Sequence, residues 1–521
     1  MQEVVKLHNE MCQALTAMER AGICIDVDTL DRIEKEYRDE YNELEKDLHT
    51  LAREALGDTP FNLASNDDLS MLIYSRKPNN KKKWAAVFNL GTEMVHGQRK
   101  KKRPTRMKKE ALAAAITRLS HVIYKTTAEQ CPGCKGKGKV ARKRKDGSWG
   151  APRFNCNVCG GSGIDYIVDY NEVAGFKCLP SSVDDLAAHG YSCSKEHLEK
   201  LERRAKGDAK QFLQKMVRFN AISHYLSNFI DGIRRNVGGD GILHSQFMQC
   251  VTATGRLSSR SPNFQNMPRA NTFPVRAVCV SRWRDRGGVI IDADYSQLEF
   301  RVAAALSGCP VAAKDIADGV DVHRRTADIM TAAGQETSRQ DAKPHTFKPL
   351  YGGTQGNKAE STYYKAFLER YQGVKKWHNT IVDMAASHNS LSLPSGRRYL
   401  FPWAKINVYG SVAGATKIKN YPVQGFATAD MVPLATVRLW RIMKSMGLKS
   451  VLINQVHDSL IVDCYPGEEK KVHKAMVEAM LGVKEDLWER FQYDFRIPIA
   501  IEIKQGPDWL NMDTVLEQER A

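Results

Sequence analysis

The sequence predicts an α+β fold whose sheet is antiparallel, and three observations support this. Short apolar runs typical of strands occur at 288–293, 451–456 and 460–462. Stretches with the helical spacing of apolar residues lie at 312–332, 357–389, 426–446 and 468–491. The second and third strand runs flank a short turn, so they favour a hairpin over a crossover connection.

The first part of the chain, residues 1–75, is predicted to be helical. Apolar residues recur there at spacings of three and four on a charged background, which indicates a long amphipathic helix. These residues are Leu30, Ile33, Tyr37, Tyr41, Leu44 and Leu48. Helical spacing returns at 195–236.

Length and composition exclude some classes of protein. The 521 residues allow about three to five structural units, and 42% hydrophobic residues exclude global disorder. No run of eighteen apolar residues occurs, and the charged N-terminus lacks the core of a signal peptide. We therefore predict a protein without a membrane partner that works in the cytoplasm.

The charge is concentrated in one segment. Residues 76–163 hold 23 basic residues and four acids, whereas the rest of the chain is almost neutral. A localised block of this kind indicates a polyanion-binding element added to a nearly neutral body. The alternative interpretation of its Lys-rich part is a disordered, solubilising loop.

Two Cys-x-x-Cys-x-Gly-x-Gly repeats lie in this basic segment and predict a metal site. They begin at Cys131 and Cys156 and include Cys134 and Cys159. Four thiolates form a closed tetrahedral site, which is structural rather than catalytic, and we predict one Zn²⁺. Redox-active or incidental cysteines are the alternative. The repeats resemble the zinc knuckles of DnaJ-type chaperones, and that resemblance ends with the knuckles.

Between the two repeats lies a basic run, Arg142, Lys143, Arg144 and Lys145. We predict that it forms a basic finger that touches nucleic-acid backbone.

Two segments place an aspartate at the end of a strand. Asp294 follows the apolar run at 289–293, and Asp458 lies with His457 in the predicted hairpin turn. Two such carboxylates, brought together, would bind paired divalent cations and support in-line phosphoryl displacement. Taken alone, Asp458 has a second interpretation, since aspartate is common in turns.

A third segment has two cations followed by two aromatic residues at four-residue spacing: Arg339, Lys343, Phe347 and Tyr351. On one helix they would share a face and form a nucleotide cradle, with cations for the phosphates and aromatic rings for a base. An amphipathic helix with a solvated basic end is the alternative.

Together these segments resemble the family A DNA polymerases, the bacterial DNA polymerase I family, in a phage-type version. Met18–Asp26 and Phe61–Ser65 resemble the start of the polymerase domain, and Thr254–Ser259 with Pro262–Pro268 resembles the primer-template strip. The segments around Asp294, Lys343 and Asp458 resemble motifs A, B and C. The resemblance covers nearly the whole chain outside about 76–180.

The resemblance implies a right-hand fold with an antiparallel palm sheet, helical fingers and a helical thumb. The implied parts are a palm and thumb start at 1–30, a thumb at 31–236 with a zinc-binding insertion at about 76–180, palm at 237–310, fingers at 311–418 and palm at 419–521.

The resemblance also implies roles for individual residues. Asp294, Asp458 and the Tyr295 carbonyl would hold two Mg²⁺ ions, for which Mn²⁺ can substitute, and Lys343 would join the two aspartates as a catalytic residue. The dNTP would be bound by His323, Arg339, Lys343, Phe347, Tyr351, Gln297 and Glu299. Glu299 would exclude the ribose 2′-hydroxyl. Primer-template DNA would be read from the minor groove by Arg256, Asn420, Gln424 and His457.

Three departures from the family pattern are visible. Motif C usually reads His-Asp-Glu, but here Ser459 follows Asp458. Pro344 and Pro349 fall inside motif B, so its helix is expected to begin near Pro344 or to kink. We also expect no 3′–5′ exonuclease in this chain, so that proofreading is absent or supplied by a separate chain. Partner chains of this kind are an exonuclease, a processivity factor or a helicase.

The leading hypothesis is therefore template-directed DNA synthesis in phage replication. A single-subunit RNA polymerase is the nearest alternative, and Glu299 and Phe347 argue against it. A catalytically silent DNA-binding protein and a repair role are further alternatives.

Overall fold

A computed structural model describes residues 2–95, 98–145, 147–268, 272–408 and 410–520. The chain forms two compact units. The sheet unit comprises Met1–Glu34 and Ser227–Ala521, and the helical unit comprises Lys35–Leu226. Among the residues described, no helix is both long and apolar enough to cross a membrane.

The α-helices follow in chain order. They are α1 (Gln2–Ala21), α2 (Val27–Leu56), α3 (Asn66–Tyr74), α4 (Lys81–Val87), α5 (Lys109–Leu119), α6 (Lys195–Glu202), α7 (Gly207–Tyr225), α8 (Asp231–Asn236), α9 (Leu298–Ser307), α10 (Pro310–Ala317), α11 (Val322–Ala332), α12 (Arg339–Thr346), α13 (Lys358–Arg370), α14 (Gln372–His388), α15 (Ala415–Gln424), α16 (Val432–Ser445), α17 (Glu469–Leu481) and α18 (Val483–Phe491).

The strands are mostly short. They are β1 (Ile23–Ile25), β2 (Arg76–Pro78), β3 (Thr92–Val95), β4 (Gln98–Lys101), β5 (Ser120–Val122), β6 (Tyr124–Gln130), β7 (Lys139–Val140), β8 (Phe154–Asn155), β9 (Ile164–Val173), β10 (Leu186–Ala187), β11 (Gly190–Tyr191), β12 (Ile242–Leu243), β13 (Gln246–Met248), β14 (Ser258–Arg260), β15 (Cys279–Val280), β16 (Val289–Tyr295), β17 (Ser390–Ser392), β18 (Arg398–Leu400), β19 (Val451–Val456), β20 (Ser459–Cys464), β21 (Ile499–Gly506) and β22 (Asp513–Arg520).

The sheet unit is built on a five-stranded sheet in the order β19-β20-β16-β21-β22. Every neighbouring pair is antiparallel, as the sequence predicts. Helices α1, α16 and α17 pack against this sheet or against one another. The strands are apolar because both faces of the central ones are covered: all six residues of β20 are buried.

A long helical segment crosses the sheet unit and changes its winding midway. Helix α15 runs into a π-helical stretch, Gly425–Met431, and then into α16. Gly425 is required there, because a Cβ atom at this position would collide with the Tyr399 hydroxyl. That hydroxyl donates to the Thr254 carbonyl at 2.6 Å. The π stretch therefore lies where the helix meets the loop before β14.

The predicted helices exist but are shorter. The stretch 312–332 divides into α10 and α11 around Gly319, which has a positive φ of 66°. The stretches 357–389 and 468–491 also divide into two helices each, at Tyr371 and at Gly482, but neither of these residues has a positive φ. The predicted helix from Leu30 to Leu48 lies within α2.

The helical unit has its own hydrophobic core. Helices α2 and α7 pack side by side, with the Tyr41 and Phe219 rings stacked at 4.5 Å and Arg218 paired with Glu40 at 2.7 Å. Residues 76–119 contribute Trp84 and Leu112 to the same core. The first part of the predicted insertion at 76–180 therefore packs with the surrounding helices, and the bounds of the insertion stay a prediction.

Only the later part of that segment projects as a hairpin. Strands β6 and β9 pair along their length from Tyr124–Val173 to Gln130–Ile164. The four clustered cysteines and the short pair β7–β8 lie between them. At its base Gly57 approaches the Thr126 carbonyl so closely that no Cβ atom would fit. We refer to residues 124–173 as the zinc hairpin, after the zinc site that the sequence predicts for its four cysteines.

We expect Trp84→Ala to destabilise the protein by about 3–5 kcal/mol, because it empties a fully buried site. The matched control is Trp149→Ala, since Trp149 is 70% exposed and its loss should change stability by less than about 0.5 kcal/mol. Urea denaturation measures both. Equal, small effects would show that residues 76–119 are separable from the core.

Candidate active site

Asp294 and Asp458 come together at one edge of the five-stranded sheet. Asp294 lies near the end of β16, opposite Ser459 on β20 and Glu502 on β21. Asp458 precedes Ser459 in the turn between β19 and β20. The Tyr295 backbone N–H donates to the Asp458 carbonyl at 3.3 Å. This bond fixes the two predicted aspartates on adjacent backbones, with Tyr295 between them in space.

The turn that carries Asp458 is held from a distance. His457 has a left-handed φ of 55°, an unfavourable conformation for a side chain of this size. Its backbone N–H donates to Gln265 Oε1 at 3.5 Å, and the Gln265 amide donates to the Gln455 carbonyl. Gln455 Oε1 in turn accepts from Thr436 on α16 at 3.0 Å. Gln265 therefore holds the β19 side of the turn through two hydrogen bonds.

The carboxylates at this edge repel one another. Burial raises the pKa of Asp294 well above its usual range, and the charges of Asp458 and Asp292 raise it further. Burial and the charge of Glu299 raise the pKa of Asp458 to about 6. The Asp294 side chain is nevertheless exposed, so a cation can reach it. Such a pair is suited to binding a divalent cation, which would relieve the repulsion.

Glu299 and Arg256 form an ion pair beside the aspartates. Arg256 Nε also donates to Thr428 Oγ1 at 3.2 Å, which lies in the π stretch. Burial raises the pKa of Glu299, and Arg256 opposes that shift. The pair therefore fixes a carboxylate in the first turn of α9, five residues after Asp294.

The motif B residues do not share one helix face, contrary to the sequence prediction. Helix α12 begins at Arg339, contains Pro344 and ends at Thr346. Phe347 lies just after its end, and Tyr351 lies in a separate 3₁₀ turn that begins at Pro349. The helix does not begin near Pro344, which was one of the two predicted alternatives; the kink stays a prediction. The helix ends two residues after Pro344, as expected of a residue that removes a donor and crowds the preceding turn.

Phe347 and His323 nonetheless meet. Their rings make an edge-to-face contact at 5.2 Å, and Phe347 stacks on Phe300 at 6.0 Å. His323 shares a hydrogen bond with Thr346 Oγ1 at 3.0 Å. Burial lowers the pKa of His323, and the charges of Arg339 and Lys343 act in the same direction. The His323 imidazole and the cations of Arg339 and Lys343 therefore lie along α12.

Arg339 lies at the edge of a pocket of about 240 Å³ that Gln297, Arg301 and Asp321 also line. Asp321 accepts from Arg339 Nε at 2.6 Å and caps α11. Gln297 has a left-handed φ of 55° at the start of α9, two residues before Glu299. Gln297 and Arg339 thus share one cationic pocket.

The remaining predicted contacts lie on α15 or near it. Asn420 and Gln424 are half-buried on α15, and Asn420 Oδ1 has no hydrogen-bond partner among the described residues. Tyr351 packs against the core of the sheet unit. The His457 side chain is exposed at the hairpin turn.

Sequence reasoning missed several neighbours of the aspartates. Gln265 lies inside the primer-template strip but received no role. Asp292 accepts from Trp509 Nε1 at 3.0 Å, and Glu502 pairs with Lys504 at 2.9 Å beside Asp294. For Glu502 and Lys504, the signal in the sequence was the alternation of charged and apolar residues at 499–504.

The predicted zinc cysteines form one cluster in the helical unit. All four sulfur atoms lie within 4.8 Å of one another, with Cys131 and Cys156 Sγ atoms 3.8 Å apart and those of Cys134 and Cys159 3.6 Å apart. Tetrahedral Zn–S bonds of about 2.3 Å require sulfur atoms about 3.8 Å apart.

Backbone donors match the two knuckles. The Gly138 N–H donates to Cys134 Sγ at 3.2 Å, and the Gly163 N–H donates to Cys159 Sγ at 3.3 Å. Although burial opposes it, donation from Gly161 and Gly163 lowers the pKa of Cys159 to about 6. The donor set fits a soft divalent cation. The basic run Arg142–Lys145 is exposed between the knuckles.

A family model, DNA polymerase family A, matches residues 176–511, which is more than half of the chain. The chain belongs to DNA polymerase family A. Among its relatives, this family A chain is 30% identical over 324 residues to the thermostable DNA polymerase I of Thermus aquaticus and 29% identical over 337 residues to DNA polymerase I of Caldicellulosiruptor bescii. These matches cover 58% and 61% of this chain but only 37% and 38% of the relatives.

A solved structure has the same fold as this family A chain. It is the POL domain of Pol1 from M. smegmatis in complex with DNA primer-template and dNTP. The TM-score is 0.64 at 20% identity, and the match covers 96% of this chain and 70% of that one. The polymerase fold expected from the sequence is therefore present.

We expect the family A chain to lose stability relative to Asp458→Asn as the pH rises from about 4 to about 7. The folded state holds a proton on Asp458 up to about pH 6, whereas the unfolded chain releases it near pH 4. Relative to Asp458→Asn, the unfolding free energy of the wild type is therefore highest below the unfolded-state pKa of Asp458. It falls as the pH rises through the folded-state pKa. The difference should be on the order of 1–3 kcal/mol.

Urea denaturation in buffer without divalent cations, at about pH 4.5 and about pH 7.5, measures this difference. Asp513→Asn is the matched control, because Asp513 is exposed at the outer strand of the same sheet. If the difference in unfolding free energy between wild type and Asp458→Asn did not change with pH, it would contradict the raised pKa of Asp458.

Proposed function

We propose that the chain is a template-directed DNA polymerase that adds dNTPs to a primer 3′-hydroxyl. The observation that carries this proposal is the fixed pair of aspartates, Asp294 and Asp458, joined through the Tyr295–Asp458 backbone bond. Two carboxylates on adjacent backbones suit two divalent cations, which we take to be Mg²⁺, with Mn²⁺ as a substitute. When bound, these ions would activate the primer hydroxyl and neutralise the leaving pyrophosphate.

The groups around α12 would orient the triphosphate. Arg339 and Lys343 supply positive charge, and His323 lies beside them with its Nδ1 hydrogen-bonded to Thr346. Phe347 would stack on the incoming nucleotide, because Phe300 already supports its ring. Gln297 and Tyr351 would complete the binding of the incoming dNTP and the templating base.

Sugar choice and DNA reading would depend on side chains that are already oriented. Glu299, held by Arg256, would occupy the space of a ribose 2′-hydroxyl. Asn420, whose Oδ1 lacks a partner among the described residues, would contact the minor groove with Gln424, Arg256 and His457. This discrimination supports a DNA polymerase over an RNA polymerase. A role in phage replication remains a prediction of the resemblance.

Primer extension with purified protein and Mg²⁺, comparing dNTPs with rNTPs, tests the proposal. Asp458→Asn should lower the extension rate by at least about 10³-fold, because it removes a charged metal ligand. Asp513→Asn should extend like the wild type. Extension with rNTPs as fast as with dNTPs would favour the RNA polymerase alternative, and full activity of Asp458→Asn would overturn the proposed site.

We also propose that the four clustered cysteines hold one structural Zn²⁺. Protein purified without chelator should contain about one zinc per chain, and Cys156→Ala should lose most of it, because three thiolates no longer close the tetrahedron. Cys178→Ala is the control, since Cys178 is a half-buried cysteine outside the cluster. Metal analysis of the three proteins decides; equal zinc in all of them would contradict the site.

A further inference from the structure

The tip of the zinc hairpin carries a short antiparallel ladder of backbone hydrogen bonds. Beyond β7, the Gly150 N–H donates to the Arg142 carbonyl at 3.0 Å and the Arg144 N–H donates to the Ser148 carbonyl at 2.7 Å. Lys143 and Trp149 are paired across this ladder. Residues directly opposite in an antiparallel pair project from the same face. The tip therefore presents an indole and an ammonium side by side.

Charge is segregated along the zinc hairpin. Between Cys134 and Cys156 the sequence has eight basic residues and one acid. The strands β6 and β9 that form the stem carry one basic residue, Lys125, and four acids. Polyanions are therefore attracted to the tip and repelled by the stem.

Aromatic side chains occur at both ends of this gradient, but only the tip combines them with cations. Trp149 is 70% exposed, the Phe154 ring is 43% exposed, and the Arg142 guanidinium lies over Phe154 at 4.1 Å. Tyr170, on the acidic stem, is 75% exposed. Exposed aromatic rings beside cations are the combination that binds single-stranded nucleic acid, and Trp149 lies opposite Lys143.

We propose that the tip of the zinc hairpin binds single-stranded DNA, with a base stacked on Trp149 and the flanking phosphates near Lys143 and its basic neighbours. Bases in a duplex are stacked on one another and offer no free face, whereas an unpaired strand offers every base to an aromatic platform. Cations alone would bind duplex and single strand alike. The inference rests on the proposed function, because a DNA polymerase works beside an unpaired template strand.

Fluorescence anisotropy with a labelled oligo-dT and with a duplex of equal length, on the full chain, tests the proposal. Trp149→Ala should weaken oligo-dT binding by about 5- to 150-fold, the value of one stacked base, and leave duplex binding within about twofold. Trp149→Phe should retain most of the affinity. Tyr170→Ala, an equally exposed aromatic residue on the acidic stem, should change neither.

A quadruple variant with Ala at Arg142, Lys143, Arg144 and Lys145 should weaken binding of both ligands and reduce the salt dependence of oligo-dT binding. Single-nucleotide incorporation by each variant shows whether the polymerase function itself is intact. If incorporation is normal and Trp149→Ala weakens both ligands equally, or neither, the tip is not a single-strand site. Normal incorporation with no tip-dependent binding of either ligand would also overturn the proposal.

Discussion

The candidate active site depends on one constraint, the antiparallel register of β16 between β20 and β21. This register puts Asp294 opposite Ser459 and Glu502, and it places Asp458 one residue from the pairing edge. Burial and the charges of neighbouring carboxylates raise the pKa values of both aspartates, so their charged forms are unfavourable at these positions. Backbone hydrogen bonds and buried apolar strands hold them in place. The fold thus holds carboxylates that repel one another close together, and a bound divalent cation would reduce that repulsion.

Several interactions maintain that register against the repulsion. Gln265 supports the hairpin turn from a loop far away in the sequence, and Thr436 anchors Gln455 to α16. Arg256 links Glu299 to the π stretch through Thr428. These polar contacts are formed mostly by buried side chains: Gln265, Gln455, Thr428 and Thr436 are all less than 10% exposed. Their loss would affect geometry before it affected global stability.

The meeting of Asp294 with Asp458 and the clustering of the four cysteines could be predicted from the sequence, whereas the residues that support them could not. Apolar runs that end in Asp294 and Asp458, and paired cysteines at fixed spacing, are local signals that short-range physics makes reliable. The end of α12 before Phe347 was missed because a four-residue spacing was followed through Pro344 and Pro349. Trp84 was not predicted as a core residue, because the lysines around it hid its contribution to the core. Gln265 acts through partners about 190 positions away, for which periodicity gives no signal.

The zinc hairpin begins and ends at the same place. Tyr124 and Val173 pair at its base, so the chain leaves the helical unit and returns to it at adjacent positions. A segment with neighbouring ends can be added to a gene, or removed from it, with only a short turn left in its place. Evolution could therefore have acquired this hairpin in a single step, as a cassette independent of the history of the sheet that carries the aspartates.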